Sequence, residues 1–222
     1  MTLGTLDPVK RKNKLSGSIK RVFEFIAAVL MLVVLSPLFL VIALFIKSES
    51  KGPIFFTQMR GGKDNEHFLI YKFRTMADDD SLRDDTIHVL ETDSRITKVG
   101  YYLRKMSLDE LPQLINIVKG DMSFIGPRPT LTSQTDNYSP YQMQRLLVKP
   151  GVTGWAQVRG RNSLSWNEKI ELDIEYIARQ SLRFDFYILL QTVQKVFSSE
   201  GVFRDESQKT EVQKKNDDAR DN

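Results

Sequence analysis

The feature that most constrains this chain is an apolar run of 25 residues, 22–46, which carries a single charge at Glu24. In a helix the run would extend roughly 37 Å at about 1.5 Å per residue, enough to cross the hydrocarbon core of a bilayer. A helix that packs on a soluble core needs only one apolar face, whereas this run is apolar on every side. It therefore predicts a membrane segment.

Two details bear on how this segment lies in the membrane. Ser36 and Pro37 stand in its middle, and a proline removes one helix hydrogen bond and kinks the helix. Basic residues, which mark the cytoplasmic side, occur both before the run, at 10–21, and after it, at 47–63. A kinked transmembrane helix and a re-entrant helix broken at Ser36 and Pro37 both accommodate these features.

The rest of the chain predicts an α+β fold, a small and mostly helical globular domain with a short β-hairpin. Two stretches rich in aromatic and β-branched residues surround a turn at 61–65, which is the pattern of a hairpin. Helical spacing follows at 166–179 and 183–197. In the second of these, an apolar face beside a basic one fits a membrane interface, or packing on the domain's own core.

Composition limits the available chemistry. The chain has no cysteine and only two histidines, His67 and His88, which excludes a thiolate nucleophile and any metal site rich in Cys or His. The net charge of +4 favours anionic partners such as phosphates or lipid head groups. Because no RRM, zinc-finger or long basic-arm pattern is present, we predict no nucleic-acid partner.

Asp109 and Glu110 are the candidate catalytic carboxylates. Ser107 and Glu110 fit a capping box, in which the acids would only serve the start of a helix. Pro112 either begins that helix or distorts it, so the carboxylates would lie at its positive end, where they stay ionised and can hold a phosphate or metal. Adjacent helical residues point about 100° apart, so one acid could attack or bind metal while the other orients or accepts a proton.

Basic side chains recur in the Gly/Pro loops and at strand ends, where they could meet phosphate oxygens. Each alone could be a solvated or salt-bridged residue, but together with the acidic pair and Mg²⁺ they predict a phosphoryl-transfer site. One arginine stands between two prolines, whose stiff backbone suits bidentate phosphate contact. The predicted substrate-binding residues are Lys72, Arg74, Arg104, Pro127, Arg128 and Pro129.

The chain resembles the bacterial sugar transferase family in four separated motifs: SKGPIFFTQMRGGK, YKFRTM, SLDELPQLINIVKGDMSFIGPRP and KPGVTGWAQVRGRN. Members of that family are monotopic phosphoglycosyl transferases, also called undecaprenyl-phosphate sugar phosphotransferases. The likeness runs from about residue 21 to residue 201 and matches the small, catalytic-core-only type. Several motifs in order make it far more specific than any single one.

The resemblance implies a reaction and a place for it. Asp109 would attack the β-phosphate of a UDP-sugar, release UMP and carry the phosphosugar until polyprenyl phosphate takes it. Mg²⁺ would lie at Asp109, Glu110 would assist, and the loop around Arg128 would shape the nucleotide pocket. The helix broken at Ser36 and Pro37 would stay in one leaflet of the bacterial inner membrane, with the catalytic domain in the cytoplasm.

The same resemblance divides the chain and suggests its partners. We expect a basic segment at 1–21, a re-entrant membrane helix at 22–46, a cytosolic catalytic domain with interfacial amphipathic helices at 47–203, and a disordered tail at 204–222. The product would enter surface glycan assembly, with downstream glycosyltransferases as further partners. By analogy with small members, the sugar would be an N-acetylated hexosamine or a deoxy derivative.

Two other functions stay open at this point. A membrane-anchored glycosyltransferase would release UDP rather than UMP, so the nucleotide product distinguishes it. A non-enzymatic adaptor would bind anionic lipid through its basic surface and a partner through its acidic tail. An adaptor would not need the acidic pair, the arginines and the Gly/Pro loops together, which disfavours it.

Overall fold

The structure, a computed structural model, describes residues 14–77, 93–160 and 163–198. Its longest element is helix α1, Lys14–Glu49, which contains the whole apolar run. α1 is also the one helix of the described chain that is long and apolar enough to cross a membrane, with a mean hydropathy of 3.1 in its apolar window. Most of its large apolar side chains are exposed, as expected of a surface that lipid covers.

The helix continues without interruption through Ser36 and Pro37, so the predicted break at this pair is not observed in the secondary structure. A proline at position 37 leaves the carbonyl of Val33 without its usual amide donor. The hydroxyl of Ser36 donates to that carbonyl over 2.7 Å and replaces the missing bond. Whether the helix re-enters the same leaflet stays a prediction.

The predicted hairpin is confirmed. Strands β1, Phe55–Gly61, and β2, His67–Phe73, pair antiparallel along their whole length. The turn between them contains a 3₁₀ segment, Lys63–Asn65, in which Asp64 and Asn65 have positive φ values of 54° and 60°. Asp and Asn tolerate this conformation better than most residues, which explains why they occupy the turn.

Short elements follow the hairpin and include a second pair of strands. Strands β3, Ser123–Ile125, and β4, Gly151–Thr153, pair in parallel. Residues 123–125 form β3 at the start of a Gly- and Pro-rich stretch, and most of GWAQV forms a helix. The helices are α2 Lys98–Lys105, α3 Gln113–Lys119, α4 Thr132–Thr135, α5 Pro140–Met143, α6 Trp155–Arg159, α7 Trp166–Arg179 and α8 Leu182–Ser198.

The core consists of three apolar clusters, and α1 contributes to two of them. Ala28 packs with residues of β2 and α3, whereas Ile42 and Ile46 pack with Phe73 and Leu103. The third cluster joins β3 to α6, α7 and α8 around the fully buried Tyr176. The domain therefore covers one side of α1 both before and after Pro37.

Polar contacts fix α1 to the domain at both ends. Near its beginning, Lys20 forms an ion pair with Asp185 over 2.6 Å, and the buried carboxylate of Glu24 accepts a hydrogen bond from Ser123. Near its end, the carboxylate of Glu49 accepts from the two backbone amides that begin α2, at 2.7 and 2.9 Å. The predicted basic segment is described only from residue 14, and the predicted tail at 204–222 lies outside the described residues.

Candidate active site

The carboxylate of Glu110 joins the hairpin to the loop that follows β3. Lys72, in β2, donates to it over 2.9 Å, and Arg128 donates through both terminal nitrogens at 2.5 and 3.3 Å. Although burial alone would raise it, these two cations hold the pKa of Glu110 far below its ordinary value. Glu110 is therefore a permanently ionised group with fixed partners.

Asp109 has a different environment. It is half-buried, and within the described chain no hydrogen bond or ion pair to its carboxylate is found. Burial, followed by the charge of Glu110, raises the pKa of Asp109 to about 6, while Lys72, Arg104 and Arg128 act against that rise. The group is mostly ionised at neutral pH and has no partner to displace among the residues that the structure describes. A carboxylate in this state can attack an electrophile or bind a cation.

The local backbone differs from the predicted capping box. Ser107 has a positive φ of 56° and makes no capping hydrogen bond, and Leu108–Glu110 form a single 3₁₀ turn. Helix α3 begins only at Gln113, directly after Pro112. The capping-box interpretation is therefore wrong, since the Glu110 side chain binds Lys72 and Arg128 and not the backbone at Ser107.

The loop that carries Arg128 is fixed on both sides by backbone hydrogen bonds. The amide of Gly126 donates to Thr153, and the amide of Gly151 donates to Pro127, each over 2.9 Å. A Cβ atom on Gly126 would lie 2.4 Å from the carbonyl of Lys149, so only glycine fits this close approach. The two prolines predicted a stiff loop, and the structure shows that hydrogen bonds to β4 also hold it in place.

The sequence reading missed a buried ion pair beneath this loop. The guanidinium of Arg145 binds Asp173 over 2.5 Å, the hydroxyl of Tyr138 over 2.7 Å and the carbonyl of Arg128 over 3.1 Å. Both partners of the ion pair are almost completely buried. One signal in the sequence could have pointed to it: Asp173 stands within the apolar stripe of α7, at helical spacing from Ile170 and Ile177.

Two of the predicted phosphate-binding arginines have other contacts. Arg104 donates to the hydroxyl of Thr75 over 2.8 Å, and its charge still acts on Asp109. Arg74 is buried and donates to the backbone carbonyls of Ser50 and Lys51. The structure does not bring Arg74 to the carboxylate pair; it connects the hairpin to the end of α1, and its role in substrate binding stays a prediction.

The donor set around Asp109 fits a metal that is shared with a substrate. The described part of the chain contains no group of three or more His, Cys, Asp or Glu side chains that could hold a metal alone. Magnesium commonly binds one or two carboxylates together with substrate phosphates and water. Asp109 is one such carboxylate, whereas Glu110 is already occupied by cations. The predicted Mg²⁺ site at Asp109 stays a prediction.

Comparison with known proteins agrees with the motifs. Residues 15–199 match the family described as bacterial sugar transferase. The chain is 44% identical over 184 residues to the uncharacterized sugar transferase EpsL of Bacillus subtilis, covering 83% of this chain and 90% of EpsL. It is 41% identical over 205 residues to the UDP-N-acetylgalactosamine-undecaprenyl-phosphate N-acetylgalactosaminephosphotransferase of Aeromonas hydrophila, covering 90% of this chain and 47% of that protein.

A third similar protein is the UDP-glucose:undecaprenyl-phosphate glucose-1-phosphate transferase of Escherichia coli. It is 39% identical over 206 residues, which cover 88% of this chain and 43% of the E. coli protein. The chain thus spans less than half the length of these two named phosphotransferases, although it spans nearly all of EpsL.

Proposed function

The chain belongs to the bacterial sugar transferase family, and we propose that it transfers a sugar 1-phosphate from a UDP-sugar to undecaprenyl phosphate and releases UMP. Relatives from Aeromonas hydrophila and E. coli carry names for this type of reaction with two different sugars. The part of this chain that matches those proteins spans the acidic pair and the Arg128 loop, so the proposal rests on that part.

The observation that carries the proposal is the difference between the two adjacent carboxylates. Glu110 is bound by Lys72 and Arg128, while the neighbouring Asp109 is ionised and has no partner among the described residues. Pairs of acids in unlike environments commonly divide their roles. We assign the nucleophile to Asp109, and to Glu110 the task of holding Lys72 and Arg128 beside it.

The proposed reaction has two steps. An oxygen of Asp109 attacks the β-phosphorus of the UDP-sugar, and the bond from that phosphorus to the oxygen bridging to the α-phosphate breaks, so UMP leaves. A phosphate oxygen of undecaprenyl phosphate then attacks the same phosphorus and the bond to Asp109 breaks, which regenerates the carboxylate. Splitting one displacement in this way replaces a difficult step by two easier ones.

The surrounding cations reduce the repulsion between a carboxylate and a diphosphate. Lys72, Arg104 and Arg128 supply three positive charges that act on Asp109. Arg128 is half-exposed at 48% of its side chain, so it can turn one face to a substrate while it holds Glu110. Mg²⁺, when bound by Asp109 and the substrate, would neutralise further charge on the diphosphate.

We place this reaction at the cytoplasmic face of the inner membrane. UDP-sugars are water-soluble, whereas the acceptor is a lipid, so the site must lie at the boundary between them. The exposed apolar surface of α1 supports anchoring in the membrane. Since one domain holds both Lys20 and Glu49, near the two ends of α1, we favour a helix that enters and leaves through one leaflet.

The deciding experiment is a pulse of sugar-labelled UDP-sugar given to the purified chain without lipid acceptor. We expect labelled protein at Asp109 and one UMP for each labelled molecule. Asp109→Asn should abolish both, and Asp64→Asn, an exposed acid in the hairpin turn, should leave both unchanged. UMP that forms only with undecaprenyl phosphate present, with no labelled protein, would instead indicate direct transfer, and UDP as product would indicate a glycosyltransferase.

A further inference from the structure

A cavity of about 600 Å³ lies where α6, the end of α7 and the start of α8 meet. None of its lining residues contacts the carboxylate pair, so the proposed reaction leaves it unexplained. Its wall combines three cations with three aromatic rings. These residues are Arg159, Arg179, Arg183, Trp155, Phe184 and Tyr187.

The cavity carries a net positive charge. Among the described residues, Arg179 forms an ion pair with Glu175, whose carboxylate also accepts a hydrogen bond from the Trp155 indole over 2.9 Å and interacts electrostatically with Arg159. Within residues 14–77, 93–160 and 163–198, Arg159 and Arg183 form no salt bridge. The guanidinium of Arg159 lies over the Trp155 ring at 5.2 Å, a contact that orients an arginine without neutralising it. The cavity is therefore suited to an anion.

The position of the cavity on α8 indicates where that anion comes from. At about 100° per residue, five exposed apolar side chains of α8 fall within an arc of about 100°. They are Leu182, Phe186, Leu189, Leu190 and Val193. The buried Ile188 lies on the opposite side of the helix and packs on the core, whereas the buried Asp185 lies on one flank of the stripe, about 40° beyond Leu189. Arg183 and Tyr187 occupy the sector between the exposed stripe and the buried side, so the cavity lies at the edge of the stripe.

The stripe is joined to the membrane helix. Asp185, which precedes Phe186, forms its ion pair with Lys20 of α1, next to the exposed Ile19. If a bilayer covers the apolar surface of α1, the stripe of α8 begins beside the same surface. A bilayer that also covers this stripe would bring its headgroup layer to the sector of Arg183 and Tyr187. Tyr and Trp rings are enriched at that level of a membrane.

From this geometry we infer that the cavity binds the phosphodiester headgroup of an anionic membrane phospholipid. Arg159 and Arg183 hold the phosphate, the rings of Trp155 and Tyr187 line its sides, and the acyl chains follow the apolar stripe of α8. Occupancy fixes the depth and rotation of the domain on the bilayer. The inference does not depend on the proposed transfer reaction, because it concerns residues outside the Asp109 site.

The test measures lipid binding by the full chain in phosphatidylcholine nanodiscs with and without phosphatidylglycerol. Native mass spectrometry should detect retained phosphatidylglycerol, and thermal unfolding should shift upward with its fraction. Arg159→Gln and Arg183→Gln should each weaken retention about fivefold, the loss expected for one basic residue at an anionic leaflet. Lys105→Gln, which removes an equal exposed charge from α2, is the matched control and should retain the lipid.

Three outcomes would overturn the inference. Equal weakening by Lys105→Gln would mean that attraction is general and not centred on the cavity. If inorganic phosphate raised the unfolding temperature as much as phosphatidylglycerol does, the cavity would be a phosphate site and not a lipid site. Displacement of the lipid by UDP would assign the cavity to the sugar donor. Transfer activity assayed in the same samples distinguishes these failures from a failure of the proposed reaction.

Discussion

Arg145 donates a hydrogen bond over 3.1 Å to the backbone carbonyl of Arg128, the residue whose own guanidinium holds Glu110. The buried Arg145 thus connects the interior of the domain to the edge of the candidate active site. Its charge is balanced by Asp173. A buried pair of this kind adds little net stability, but it fixes the position of whatever it binds.

This arrangement predicts that stability and activity can be separated. Asp173→Asn leaves Arg145 buried without a counter-charge and should lower the free energy of unfolding by about 3–5 kcal/mol. The double variant Arg145→Met, Asp173→Leu removes both charges and should recover most of that loss. Its kcat/KM should nevertheless stay about tenfold reduced, because the Arg128 carbonyl has lost its donor. Denaturant unfolding and UMP release measure the two effects.

A double variant that is both stable and fully active would contradict this role, since Arg145 would then serve only to satisfy Asp173. Arg145→Lys provides a second check. Lysine keeps the charge for Asp173 but cannot bind Asp173, Tyr138 and the Arg128 carbonyl with one planar group, so we expect near-normal stability and reduced activity.

The pH dependence of the reaction should report Asp109. Its pKa is raised to about 6, and only the ionised form can attack, so kcat/KM should fall about tenfold per pH unit below that value. Glu110→Gln removes the negative charge that raises this pKa and frees Lys72 and Arg128, whose charges lower it. The acid limb should therefore move to lower pH in Glu110→Gln, although the maximal rate also drops.

The measurement is the initial rate of UMP release between about pH 4.5 and 8, a range that includes the expected pKa of Asp109. An acid limb that stays in place in Glu110→Gln, or moves to higher pH, would show that Asp109 is not the titrating group. Thermal unfolding at each pH is the control, because loss of folding would imitate loss of ionisation.

Local patterns in the sequence predicted much of the fold. The hairpin follows from two β-prone stretches around Asp64 and Asn65, and α7 follows from the helical spacing at 166–179. The parallel pairing of β3 with β4 could not be predicted, because each strand has three residues and its partner lies far away in the chain. Tertiary contact, not local propensity, decides such short segments.

The candidate site could be predicted only in part, because some of its features also depend on tertiary contacts. Asp109, Glu110 and Arg128 stand out because acids beside Pro112 and an arginine between prolines are visible in the sequence. The division of roles between the acids was not visible, since it depends on Lys72 and Arg128 reaching one carboxylate and not the other. A distant side chain such as Arg145 has no local pattern that marks it.

The single charge in the apolar run predicts an unusual response to an apolar substitution. Glu24 is buried and accepts hydrogen bonds from the Ser123 hydroxyl and the Phe124 amide. Glu24→Leu makes the run more apolar but leaves those two donors buried and unpaired, which should lower the free energy of unfolding by about 1–3 kcal/mol. Glu24→Gln keeps an acceptor and should cost less. Unfolding in detergent micelles gives both values. If Glu24→Leu were neutral or stabilising, Glu24 would not be the group that holds α1 to Ser123 and Phe124.

The last prediction concerns the path of α1. Lys20 and Glu49 are separated by roughly 43 Å of helix at about 1.5 Å per residue, yet both bind the same domain. A straight spanning helix would place them on opposite sides of the membrane, so we expect both on the cytoplasmic side.

The chain has no cysteine, and a single one introduced at Thr5 or at Lys51 gives a clean probe. Both should resist a membrane-impermeant thiol reagent in intact cells and react after permeabilisation. If either site alone reacts from outside, the helix spans the bilayer, and the domain cannot hold both of its ends as the structure describes.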